Sequence, residues 1–171
     1  MSGTISVSPN MNSGPVGTFP DGHMVKFVYQ QVNPTIQLID ANDVNYYDVN
    51  GTSIDYTPAT GASYVVYRTC FAARTAAARS IFHMSVTLDG TVENTTRQTV
   101  DTAGSATYFQ PQPMIINHVM TAWTGSKTVK VRCRDYDSAG NYAVRFHEIN
   151  FWEGSGWGGQ FQCETLIYSV M

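Results

Sequence analysis

Four groups of residues in this chain have types and spacings that could serve chemistry. The first is a row of cations in TVKVRCR, residues 128 to 134, where Lys130, Arg132 and Arg134 alternate with Val129, Val131 and Cys133. Counting Lys127, four cations fall within eight residues, enough to touch a phosphate backbone. Single-strand binders, however, pair a basic groove with exposed stacking aromatics, and here Asp135 and Asp137 follow at once. The alternation is that of a strand with one wet face, so no nucleic-acid partner is expected.

The second group is DYDSAGN, residues 135 to 141, which opens like a calcium loop with Asp135 and Asp137 at ligand spacing and Gly140 at the sharp turn. Its twelfth position needs a bidentate Glu and holds Phe146, so a hairpin turn through Ser138, Gly140 and Asn141 is the better account. The third is the set of histidines, His23, His83, His118 and His147, too far apart for an HxH or HExxH pair. The last three fall in strand patterns, where a hydrogen-bonded structural histidine is the usual case. Gly154-Ser155-Gly156 lies between two strands rather than at a strand-to-helix elbow, and no paired carboxylates stand out. No catalytic residue, metal site or cofactor is therefore expected. The fourth group is WEGSGWGGQF, where Trp152 and Trp157 lie among glycines. An exposed indole there would stack on a sugar ring, making both candidates for a glycan contact, while packing at the end of the fold is the plainer use.

What must position these residues follows from composition. At 171 residues the chain fits one domain able to bury a sizeable core. Only 13% of residues are charged, against about a quarter in an ordinary soluble protein, while aromatics reach 12%. With a net charge of −3 there is no general attraction to phosphate. The first residues lack the basic and apolar regions of a secretory signal, so export is not expected, and no apolar run is long enough for a membrane helix. No membrane partner is expected. Cys70, Cys133 and Cys163 are odd in number and irregularly spaced, which fits small core residues rather than a disulfide or zinc framework.

Residues 1 to 22 are rich in Gly, Pro, Ser and Asn and read as a short extended N-terminal arm. From residue 23 to 171 the period is two: MVKFVYQQ, VNYYDVN, TSIDYT, ASYVVYRTCFAA, IFHMSVTL, PMIINHVMTAW, KTVKVRCRDY, NYAVRFHEINFW and QFQCETLIYSVM are strands bounded by turn residues. TVENTTRQTVDTAGSATY is a long loop or weakly paired strands. AARTAAARS has helix propensity but is short, and reads as a connection with at most a helical turn. About ten strands and almost no helix mean an all-β antiparallel sandwich or barrel.

Two strands are apolar on both faces. In PMIINHVMTAW, Met114, Ile116, His118 and Met120 oppose Ile115, Asn117 and Val119; in ASYVVYRTCFAA, Val65, Tyr67 and Phe71 oppose Tyr64, Val66 and Cys70. A sheet wet on one side alternates cleanly, so these strands need a second cover, and another copy of the chain is the expected one. Val65, Tyr67, Phe71, Met114, Ile116 and Met120 are taken as the interface.

The progression HMVKFVYQQ, DVNGTSIDYTPATGASYVVYRTCFA, IFHMSVTLDGT, a Thr-rich stretch, MIINHVMTAWTGSKTVKVRCRD, and a Trp/Gly loop before QCETLIYSVM resembles phage virion proteins of the trimeric jelly-roll kind. Their fold is similar to the heads of tumour necrosis factor and complement-type proteins. The likeness covers residues 23 to 171; AARTAAARS departs from it, since Gly- or Ser-rich loops are usual there. It implies a jelly-roll sandwich, a homotrimer without enzyme chemistry, and a virion location after assembly in the host cytoplasm. The role it implies is a capsid decoration or cement protein bound to the major capsid protein or another virion protein. The alternative it leaves is a fibre tip that binds a receptor or host surface glycan. In a decoration protein, Ile5, Val7, Met11, Val16 and Phe19 of the arm would be the apolar anchors to the particle.

Overall fold

In the last strand, Cys163–Val170, the side chains of Cys163, Thr165, Ile167 and Ser169 are buried while Glu164, Leu166 and Tyr168 point the other way. The same alternation recurs along the chain. The structure, a computed structural model, describes residues 22–39, 45–75, 79–101, 111–135, 143–150 and 157–171. Among these it forms β1 (Met24–Val32), β2 (Gln37–Ile39), β3 (Tyr47–Asp48), β4 (Ile54–Tyr56), β5 (Tyr64–Thr75), β6 (Arg79–Leu88) and β7 (Thr91–Asp101). There follow β8 (Gln112–Thr121), β9 (Lys127–Asp135), β10 (Val144–Phe146), β11 (Glu148–Asn150), β12 (Trp157–Gln160) and β13 (Cys163–Val170). No helix is present among the described residues.

The pairing is antiparallel throughout, and two sheets face each other. One runs β1-β13-β5-β8, with β10 and β2 continuing beside the far end of β5; the other runs β4-β9-β6-β7, with β3 beside β9. With β2, β3, β10, β11 and β12 set aside, the remaining eight strands place the first (β1) next to the last (β13) in one sheet and the second (β4) next to the second-last (β9) in the other, the winding of a jelly roll. The core between them joins Val65, Tyr67, Phe71 and Ile167 of the first sheet to Phe82, Met84, Val86, Val129 and Val131 of the second. Phe146 sits edge-on to both Phe71 and Phe82, with ring centroids 5.6 and 5.8 Å away.

Three expectations change and one is decided. The Ala-rich segment is strand: Ala72 pairs with Pro113 of β8, and Ala73 lies between Gln112 of β8 and Phe146 of β10. Pairing on both sides overrides Ala's helix preference, and β5 runs to Thr75, with residues 76–78 outside the described set. Of the Thr-rich stretch, residues 91–101 form strand β7, the second of its two readings, joined to β6 by a tight turn whose Asp89 (φ 47°) and Gly90 (φ 83°) both take left-handed backbone, and the rest lies outside the described set. NYAVRFHEINFW divides at His147, where φ is 64°, into β10 and β11. The final segment is strand from Cys163 to Val170, β13, and the end of the stretch read as a Trp/Gly loop is strand as well, β12 (Trp157–Gln160).

The sandwich has two unlike ends. At one, short turns join β4 to β5, β6 to β7 and β8 to β9, and the chain enters beside its own C-terminus: Gly22 N–H donates to the Met171 carbonyl (2.5 Å) and Met171 N–H to that of His23 (3.1 Å). The segment expected as an arm, residues 1–22, precedes the sandwich at this end; residues 1–21, with Ile5, Val7, Met11, Val16 and Phe19, lie outside the described set. At the opposite end lie the strand ends linked by residues 40–44, 76–78, 102–110 and 136–142, as the pairs Val144↔Ile39, Arg79↔Asp101, Ala73↔Gln112 and Phe82↔Asp135 fix.

Candidate interaction surface

The two-sided strands β5 and β8 lie side by side, and the structure decides which of their faces looks outward. Val65, Tyr67 and Phe71 have no exposed surface, and Met114 and Met120 are also buried in the chain's own core, with Ile116 packed against it. These side chains, expected at a subunit interface, meet the second sheet of the same chain instead. Any partner of this sheet meets the opposite parity.

That outer parity is itself apolar. The register stacks Phe27, Tyr168, Val66 and Val119 in one row across β1, β13, β5 and β8, with Met24, Val170, Tyr64 and Thr121 in the row nearer the arm end. The next row holds Tyr29, Leu166, Arg68 and Asn117, and the last Gln31, Glu164, Cys70 and Ile115. Met24, Tyr64, Ile115 and Val119 are each more than half exposed (54, 53, 52 and 57%), and Phe27 and Tyr29 are exposed too. A contiguous apolar face of this kind on a monomer marks an interaction site.

Its polar part is concentrated. Arg68 and Glu164 stand on neighbouring strands and, with Tyr29, Cys70 and Leu166, line a hollow of about 290 Å³. Gln31 Nε2 donates to Glu164 Oε1 (3.2 Å) and to Gln162 Oε1 (2.8 Å), holding the carboxylate from the β1 side. Burial raises the Cys70 thiol, and Glu164 raises it further against the smaller effect of Arg68, so Cys70 is a neutral thiol at pH 7. The Tyr29 phenol is raised as well, by desolvation and then by Glu164. Cys133 and Cys163 are buried core residues as expected, whereas Cys70 is on this outer face.

The other sequence candidates lie elsewhere. The cation row is on the outer face of the second sheet, and the chain itself engages it. Lys130 Nζ donates to Asp48 Oδ2 (2.6 Å), Arg132 Nε lies 3.3 Å from Asp48 Oδ1, and Arg132 Nη2 donates to the Tyr46 carbonyl (2.8 Å). Both Arg132 and Arg134 stack near the Tyr46 ring, at 5.7 and 5.4 Å from its centroid. Asp135 ends β9 with its side chain buried, and the rest of the calcium-like turn, residues 136–142, is outside the described set. Trp152 and Gly154-Ser155-Gly156 are outside it too, and Trp157 is described only as backbone of β12, paired with Asn150.

His147 departs from the expected hydrogen-bonded histidine. It is fully buried between Phe71 and Phe146, neither ring nitrogen makes a well-formed hydrogen bond among the described residues, and burial, opposed by the smaller effect of the Asn50 backbone, holds its pKa down to about 4. Beside it Glu148 accepts from Arg74 Nε (2.6 Å) and contacts Arg74 Nη2, and both its oxygens accept from Arg145 Nη1 (3.2 and 3.3 Å). This charge cluster, buried at Arg74 and Glu148 and open at Arg145, was not foreseen from the sequence: its members come from β5, β10 and β11, and only the fold joins them. Among the described residues no three His, Cys, Asp or Glu side chains gather as a metal site.

No family model and no curated protein sequence matches the chain. Similar solved structures include the C-terminal domain of EclA, described as a sugar-binding protein, at 14% identity and a TM-score of 0.38, over 80% of this chain and 86% of that one. Dimeric latent PorU from Porphyromonas gingivalis aligns at 9% identity and a TM-score of 0.39, over 81% of this chain and 13% of PorU. A chain of infectious bursal disease virus, Gx strain, aligns at 13% identity and a TM-score of 0.40, over 98% of this chain and 42% of the viral one. TM-scores this low carry no argument, and what those proteins bind or build does not transfer to this chain.

Proposed function

We propose that the chain is a non-enzymatic protein of a virus particle, working as a homotrimer, and that its role is to decorate or cement a phage capsid. The observation that carries this reading is the outer face of β1-β13-β5-β8, where Met24, Phe27, Tyr29, Tyr64, Ile115 and Val119 stand exposed in register. Burying an apolar side chain stabilises by about 1.5 to 3 kcal/mol, so leaving this set in water is costly and covering it with further copies is favourable. Three copies gathered by this face around an axis along the strands bring three arms to one end, where Gly22 pairs with Met171. There Ile5, Val7, Met11, Val16 and Phe19 of each arm anchor the trimer on a shell protein, and three weak contacts joined in one body bind far more tightly than one. The partners are the chain itself and the shell; nucleic acid and membrane have no part.

A second reading, a receptor- or glycan-binding tip, draws on the polarity of the sandwich. The strand ends joined by residues 102–110 and 136–142 lie opposite the arm, where a tip anchored by its arm would meet a host surface. In this reading Trp152 and Trp157 supply stacking surfaces for sugar rings.

Immunogold labelling of purified particles with antibody raised against the chain separates the two. Label distributed over the capsid is expected; label confined to fibre ends favours the tip, and particles without label contradict both. A protein beginning at His23 is expected to trimerise yet fail to bind particles that lack it.

A further inference from the structure

We propose that copies of this chain join head to tail, with the outer margin of β8 in one subunit seated in the hollow over β5, β13 and β1 of the next. The inference rests on the oligomeric reading above and specifies the contact. Two faces pressed together about a twofold axis would meet like with like, but three faces around an axis along the strands cannot each lie flat on both others. Every subunit must then offer one margin of the face to one neighbour and a different region to the other. The face is built that way. Its β8 margin carries Ile115, Asn117 and Val119, all exposed and none charged. Its other half holds the hollow lined by Tyr29, Arg68, Cys70, Glu164 and Leu166.

The charges suit this pairing. Arg68 and Glu164 bring one cation and one anion to the hollow, which therefore accepts a neutral occupant rather than a charged one. In the neighbour's β8, Ile115 and Val119 supply apolar surface for Tyr29 and Leu166. Asn117, between them, has an amide N–H for a carboxylate and a carbonyl for a guanidinium. The hollow is thus complete only with a residue from the next subunit.

Two residues on one level of the face provide the test. Val119 and Tyr168 stand in the same row with Val66 of β5 between them, so within one chain they are two strand spacings, about 10 Å, apart. A disulfide within one chain is out of reach at that separation. Rotation about an axis along the strands keeps each residue at its own level, so the neighbour's β8 margin brings its Val119 to the level of Tyr168. Cys133 and Cys163 have no exposed surface. In the full-length chain carrying Cys70→Ser, the Val119→Cys, Tyr168→Cys double variant is oxidised with a copper catalyst alongside each single variant. Covalent dimer and trimer on a non-reducing gel, absent from both single variants, is the expected result. A trimer by light scattering that yields no such bands overturns the head-to-tail contact and leaves the oligomeric reading standing. Cross-linked dimer in either single variant also overturns it by showing like facing like. A variant and wild type that both scatter as monomers remove the oligomeric reading itself.

Discussion

Glu148 and His147 are adjacent in the chain and illustrate two opposite ways of burying a titratable group. The Glu148 carboxylate is shared by the guanidiniums of Arg74 and Arg145, and the Arg74–Glu148 pair is nearly sealed from water. Removing one member of a buried ion pair costs about 3 to 5 kcal/mol, so Glu148→Gln is expected to lower the unfolding free energy by that order, seen as a lower urea midpoint at unchanged slope, while the pair itself adds little net stability. His147 has no such compensation and stays neutral. Its pKa is about 4 in the fold and near 6.5 in the unfolded chain, so below pH 6.5 the unfolded state takes up a proton that the folded state refuses. Stability is then unaffected by this group above about pH 6.5, falls by about 3 kcal/mol as the pH drops to 4, and changes no further below that. His147→Asn keeps a residue that tolerates the left-handed backbone and removes the proton, so its stability curve is expected to flatten across that window. His118, also held low by burial, adds a slope of the same sign, and the difference between wild type and variant is the quantity to compare. At the cation row, Lys130 and Arg132 share Asp48 and both arginines stack on Tyr46. Mobility shifts with single- and double-stranded DNA are accordingly expected to be absent even at low salt. Retardation lost on changing Lys130, Arg132 and Arg134 to Ala would revive a nucleic-acid role.

Among the elements, the turns offer the cleanest comparison. Gly51 and Gly90 both take left-handed backbone (φ 78° and 83°), but a Cβ on Gly90 would meet open space, whereas one on Gly51 would lie 2.8 Å from Val32 Cγ2 and 3.1 Å from Cys163 Cβ. Gly90→Ala is expected to cost the conformational penalty alone, about 1 to 2 kcal/mol. Gly51→Ala adds a clash against β1 and β13 and is expected to lower the thermal midpoint by a clearly larger amount. Strand identity was legible because alternation survives in β5, β8, β9 and β13, and the Asp89-Gly90 hairpin because few residues suit that turn. The inward face was not. With Val65 and Tyr67 on one side and Tyr64 and Val66 on the other, hydropathy is the same for both, and only the sheet lying across decides which is buried. The Ala-rich end of β5 was misread for a related reason, since partners on two sides come from segments far along the chain.

At the scale of the whole molecule, the jelly-roll winding, the unlike ends and the outer apolar face form one design. The β4-β5, β6-β7 and β8-β9 turns and the paired ends of β1 and β13 close one end, the strand ends joined by residues 40–44, 76–78, 102–110 and 136–142 mark the other, and the face between them runs parallel to that axis. The hollow of Tyr29, Arg68, Cys70 and Glu164 draws on three strands and could not be read from spacing, although each strand could. Assembly through this face is the claim on which the proposed role depends. It is tested most directly by the solution mass of the full chain from light scattering coupled to size exclusion, measured beside a Val119→Glu variant. Wild type is expected at three times the chain mass of 18.9 kDa. The variant, whose substituted side chain is exposed in the single subunit and so leaves its core intact, is expected at one chain mass with unchanged strand content by circular dichroism. Wild type at 18.9 kDa across the micromolar range, or a Val119→Glu variant that stays trimeric, would contradict the account.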